Sequence, residues 1–140
     1  SVRTNYDLSN NDGWQATGTV RILSAGVIYP WAKDIDIYDT RNNQIGLISG
    51  SFATLETAKY NLYEYDEKGY ATLVGIAYAN ADFSGFKIVP SITDPRPIAT
   101  LTRNYNNHTW SVDVNMPAMI DDRLIRIFAG FVIDFEDKFK

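Results

Sequence analysis

The chain has 140 residues, with 13 Lys and Arg against 17 Asp and Glu, and a formal net charge of -4. Such a length predicts one domain with a sizeable core, and the acidic balance excludes a broad electrostatic grip on nucleic acid. The absence of cysteine excludes disulfides, thiolate zinc sites and thiol nucleophiles, and a single histidine, His108, excludes any scheme that needs two imidazoles.

With 45% apolar and 21% charged residues the chain is expected to fold. Its most apolar stretch, residues 124–133, contains Arg126 and has about half of the ~20 residues that a membrane-spanning helix needs, so no transmembrane segment is expected. No cofactor is implied, and the compartment is left open.

Residues 1–13 are polar and end in Ser9-Asn10-Asn11-Asp12-Gly13, whose side chains bond their own backbone or accept positive φ. They read as a flexible N-terminal arm ahead of a barrel domain over residues 14–140. From Trp14 the pattern takes a period of two: Gly18, Val20 and Ile22 face one way, and Thr17, Thr19 and Arg21 the other. Asp34-Ile35-Asp36-Ile37-Tyr38 repeats it. Further strand segments are predicted at 44–52, 58–65, 72–80, 85–89, 98–105 and 109–116.

The turns carry an internal repeat. Tyr38-Asp39-Thr40-Arg41-Asn42-Asn43 leads into Ile45-Gly46-Leu47-Ile48, and Tyr65-Asp66-Glu67-Lys68-Gly69 leads into Leu73-Val74-Gly75-Ile76. A fainter copy is Thr93-Asp94-Pro95-Arg96-Pro97 before Ile98-Ala99-Thr100-Leu101. In each, Asp starts the turn through its own side chain and Asn, Gly or Pro supplies the dihedral. Short strands separated by such turns predict an antiparallel β-barrel built as a meander of hairpins.

After Pro117 the period changes. Asp121 and Asp122 sit where acidic residues favour a helix N-terminus, and a helix is predicted over about 121–138. At 100° per residue, Arg123, Arg126, Gly130, Asp134 and Asp137 fall on one narrow stripe. Leu124, Ile125, Ile127, Phe128, Ala129, Phe131, Val132, Ile133 and Phe135 cover the remainder. A helix apolar on so many sides needs protein around it, so the barrel is expected to enclose it.

Ile35-Asp36-Ile37-Tyr38-Asp39 with Ile45-Gly46-Leu47-Ile48-Ser49-Gly50, then Tyr60-Asn61-Leu62-Tyr63-Glu64, then Trp110-Ser111-Val112-Asp113-Val114 leading to residues 124–134, resemble the tubby C-terminal-like superfamily. That group includes the LURP-one-related proteins. The resemblance covers about residues 34–140 and implies a barrel wrapped around its C-terminal helix, with a non-enzymatic binding or scaffolding role. Its partners would be a small molecule, a lipid headgroup or a protein. A secreted carbohydrate-binding module and a small barrel isomerase or cyclase with a buried acid are the alternatives.

Candidate sites follow from residue chemistry. Lys87, Arg96 and Arg103 bracket the third hairpin and form the best anion-binding set, although salt bridges to nearby Asp residues are their ordinary use. Arg126 lies in mid-helix, where an unpaired charge costs several kcal/mol, so it must pair with Asp122 or reach the surface along the polar stripe. If that stripe instead lines a cavity, Gly130 leaves room for a ligand.

His108 is the place to look for a general base, but no Gly-x-Ser-x-Gly turn accompanies it, and it reads as a solvated loop residue. Asp34, Asp36, Asp39, Glu64, Asp66 and Glu67 contain no pair marked for glycoside hydrolysis beyond ordinary strand spacing. Asn10-Asn11-Asp12-Gly13 lacks the rest of a calcium loop, so no metal is expected. Tyr60, Tyr63, Tyr65, Tyr70 and Tyr78 lie close together and suit either sugar stacking or cross-strand pairing.

Overall fold

A computed structural model describes residues 5–21, 32–50 and 58–135. Ile22, residues 1–4, 51–52 and 136–138, and the side chain of Phe135 lie outside the described residues. The protein is mainly β. Nine strands, β1 (Asn5–Asn10), β2 (Gly13–Val20), β3 (Asp34–Asp39), β4 (Gln44–Ser49), β5 (Lys59–Tyr65), β6 (Ala71–Ala79), β7 (Gly85–Val89), β8 (Ala99–Asn104) and β9 (Thr109–Val114), precede one helix, α1 (Asp122–Phe135).

Every strand pairs antiparallel with its sequence neighbour, so the sheet order is the chain order. The sheet curls into a half-barrel with α1 packed against its inner face. Among the described residues β1 and β9 do not pair, so the curl stays open at that seam. Residues 5–10 are not a flexible arm: they form β1, where partly buried Tyr6 and Leu8 alternate with exposed neighbours and pack on the core. That alternation was hidden by the polar residues around it.

The repeat is structural. Asp39 N–H donates to Asn43 O and Asn42 N–H donates back to Asp39 O, and Asp66, Tyr70 and Gly69 do the same one hairpin later. Asn42 and Gly69 hold φ of 65° and 85°, the left-handed residue of a three-residue hairpin loop. Each aspartate Oδ1 accepts two further amides at 2.9 Å, from Arg41 and Asn43 or from Lys68 and Tyr70. Asp94 departs from this pattern, since its carboxylate holds Arg96 in a turn that starts at Ser91.

Each hairpin then places a bulge, with Ile45 or Val74 as the extra residue, just before a glycine on the inner face. The glycines seat the helix. A Cβ on Gly46 would lie 2.9 Å from Leu124, and one on Gly75 would lie 2.7 Å from Ile120, just before α1. Gly18 on β2 plays the same part for Ile127, at 2.5 Å. Sheet and helix therefore approach more closely than any side chain at these positions would allow.

Helix α1 starts on Asp121, whose Oδ1 accepts the Arg123 N–H at 3.0 Å as an N-cap. Leu124, Ile125, Phe128, Phe131 and Val132 are fully buried. Tyr60 joins the rings of Phe128 and Phe131 at centroid distances of 5.2 and 5.6 Å, and Phe86 meets Phe128 at 5.5 Å. Arg126 and Asp134 are exposed, as the stripe predicts. Ile133, expected on the covered side, is 50% exposed because it lies two turns after Arg126, on the same stripe.

Candidate functional site

The four predicted ligand-binding residues do not converge. Arg96 is tied to Asp94 at 2.8 Å and 3.0 Å, and this guanidinium, together with the Arg96 amide, holds the Asp94 carboxyl down at about 2. Arg103 donates to the carbonyls of Asn104 and Thr109 and lies 5.4 Å from the Tyr105 ring centroid. On β8 it shares the inner-face parity of Ala99 and Leu101, beyond the end of the core. Arg126 pairs with Asp122 at 3.3 Å on the outer side of α1. Lys87 stands on the outer face of β7.

Four of the candidate carboxylates, Asp34, Asp36, Asp39 and Asp66, are committed to structure. Asp36 takes both Arg21 Nε and Nη2, at 2.8 and 2.7 Å, and also Gln44 Nε2 at 2.9 Å. Asp34 accepts Ser49 Oγ and the Gly50 amide. Hydrogen bonding to Asp36 raises the Arg21 guanidinium well above its ordinary value against the opposing effect of burial.

At the end of β5, Glu64 shares the inner-face parity of Tyr60 and Leu62 and stands near Asp121 at the start of the helix. Burial raises its carboxyl above the usual range, and the nearby Asp121 charge adds to the shift. Asp121 moves the other way: burial raises it, but the Arg123 guanidinium, 2.7 Å away, outweighs that and holds it low.

His108 is an exposed turn residue at φ 56°, a left-handed conformation that histidine adopts more readily than most side chains. Among the described residues no three His, Asp or Glu side chains are grouped to hold a metal. The tyrosines divide: Tyr60 is in the core, whereas Tyr70 and Tyr78 are exposed.

The described surface carries several hollows, some of them bordered by Arg126 or Lys87. One, of about 250 Å³, lies along the seam between β1 and α1, with Tyr6, Leu8, Arg126 and Gly130 on its walls. The stripe with Gly130 thus lines an outer groove, not an internal cavity. Another, of about 230 Å³, lies on the convex face of β6, β7 and β8 around Tyr78, Lys87, Thr100 and Thr102. Lys87 was legible as a cation, but its neighbours were not, since Tyr78 faces it only through the β6–β7 register. Against family models, curated proteins and solved structures, the chain gives no match.

Proposed function

We propose that this chain is a non-enzymatic binding or scaffolding domain on the tubby-like, LURP-one-related pattern, with the helix filling its interior and ligands met at the outer surface. The filled interior carries this reading. Tyr60, Leu62, Phe86, Leu101, Phe128 and Phe131 occupy the inner space with no more than 1% exposure each. An isomerase or cyclase on this frame would need an inner vacancy lined by an acid, and the inner-face carboxylate Glu64 stands beside Asp121 at the helix start. A small ligand fits the surface better than a lipid headgroup, because the predicted cations are dispersed and a membrane surface is gripped by several together.

Titration of isotope-labelled protein with a set of small polar fragments, read by amide shifts, tests this. Shifts confined to outer-face residues are expected. Shifts centred on inner-face Tyr60 and Phe128, or none anywhere, would overturn the proposal. Flotation with phosphatidylcholine vesicles, with and without phosphatidylserine, is expected to show no dependence on lipid charge.

A further inference from the structure

We infer that the convex-face hollow at Tyr78, Lys87, Thr100 and Thr102 binds one acidic sugar ring of the uronate type. This rests on the binding role proposed above and gives it a place and a ligand class.

The hollow follows from pairing. On the outer face, β6, β7 and β8 present two rows of three positions, Tyr78–Lys87–Thr100 and Asn80–Gly85–Thr102. Five carry side chains and the middle of the second row, Gly85, carries none; the Asn80 side chain leans over Gly85, 3.4 Å from where a Cβ would stand, and both rows line the hollow. Its rim is rigid: Asn80 Nδ2 donates to Ser84 Oγ at 2.9 Å and Asn80 Oδ1 accepts the Gly85 amide at 3.2 Å. At about 230 Å³ the space lies below the ~300 Å³ at which drug-sized ligands begin, and it suits a single ring.

The wall chemistry selects the ring. Tyr78, 36% exposed, lines the hollow and offers an aromatic side chain to the C–H face of a sugar. Thr100 and Thr102 supply hydroxyls that either donate or accept, as sugar hydroxyls require. Among the described residues Lys87 makes no ion pair, so its ammonium is available to a carboxylate. One cation matches one carboxylate. A membrane would need more of them, and the chain as a whole carries -4.

The test is amide-shift titration of the full chain with sodium glucuronate, with glucose, inorganic phosphate and phosphatidylserine-containing vesicles as separate arms. Glucuronate is expected to shift Gly85, Lys87, Thr100 and Thr102. Glucose should bind about tenfold or more weakly, the loss expected when a charge-assisted hydrogen bond is removed. Lys87→Gln and Tyr78→Ala should each weaken glucuronate by about tenfold or more, while Lys87→Arg retains much of it. Both are surface positions, and an unchanged spectrum away from the hollow verifies the fold.

No shift with glucuronate, equal shifts in Lys87→Gln, or equal shifts with inorganic phosphate would overturn the inference. Vesicles that displace glucuronate from these residues would reassign the face to a membrane, which also overturns it. If glucuronate fails while other fragments bind the outer surface, the binding role stands and only this ligand class falls. If every probe fails, both fall.

Discussion

The Tyr6 hydroxyl donates a 2.7 Å hydrogen bond to Asp134 Oδ2, tying the first strand to the helix across 128 residues of sequence. The Tyr6 ring also meets Phe131 edge-on at a centroid distance of 6.3 Å. Burial raises the phenol well above its ordinary range, and the Asp134 bond and charge add to it, so the phenol stays the donor. This contact holds β1, an edge strand with one sheet neighbour, against α1.

Tyr6→Phe keeps the ring contact and removes the bond. It should cost about 1 kcal/mol, and Tyr6→Ala clearly more, because packing on Phe131 goes as well. Urea unfolding measures both, and hydrogen exchange should show β1 amides losing protection first. An unchanged midpoint in Tyr6→Phe would mean that the bond adds nothing to β1 docking.

The inner-face glycines and the helix glycine should respond in opposite directions. Gly18→Ala, Gly46→Ala and Gly75→Ala each force a Cβ to within 2.9 Å of helix-side atoms and should cost about 1–3 kcal/mol through overpacking. At Gly130 the nearest atom to a Cβ is Tyr6 Cδ1 at 3.5 Å, an ordinary contact. Gly130→Ala should therefore be neutral or stabilise by up to about 1 kcal/mol through helix propensity. Thermal melts of the four variants decide it.

Gly69→Ala isolates backbone strain, since a Cβ there meets nothing within 4 Å while φ stays at 85°. A loss of about 1 kcal/mol is expected from forcing alanine into the left-handed region. Asn42→Gly, at the matching position of the other hairpin, should be nearly neutral. If both changes act alike, the two loops do not share one conformation.

Glu64 sets a pH dependence. Its carboxyl is raised in the folded chain, so the unfolded chain releases this proton first as pH rises. Its contribution to stability is complete below the unfolded value and is lost as pH climbs through the folded one. Glu64→Gln keeps the size and shape of the side chain and removes the titration. The variant should gain on the parent near pH ~7 and match it near pH ~3, where both side chains are neutral. Denaturant midpoints at the two pH values measure it, and a variant weaker than the parent at neutral pH would refute this account.

Much of the candidate chemistry dissolved on folding for a common reason. Arg96, Arg103 and Arg126 all found local partners, a carboxylate two or four residues away or carbonyls of their own hairpin. Lys87 found none among the described residues, and its setting depends on two neighbouring strands. The Arg126–Asp122 pair was readable because one helical turn determines it. The Tyr78–Lys87 face was not, because a one-residue change of register would send one of the two side chains to the opposite face.

By itself the sequence determined what depends on a few residues at a time: alternating strands, the twin Asp-led turns, the helix and its narrow charged stripe. Local hydrogen bonds and side-chain periodicity specify these without reference to distant parts. Tertiary structure decided that Tyr6 and Leu8 make a strand, that Gly18, Gly46 and Gly75 seat a helix, that Glu64 stands near Asp121, and that three strands bring Tyr78, Thr100 and Thr102 around Lys87. These are contacts between segments far apart in the chain. Their partners are chosen by which apolar faces are buried together, and no short stretch of residues carries that information.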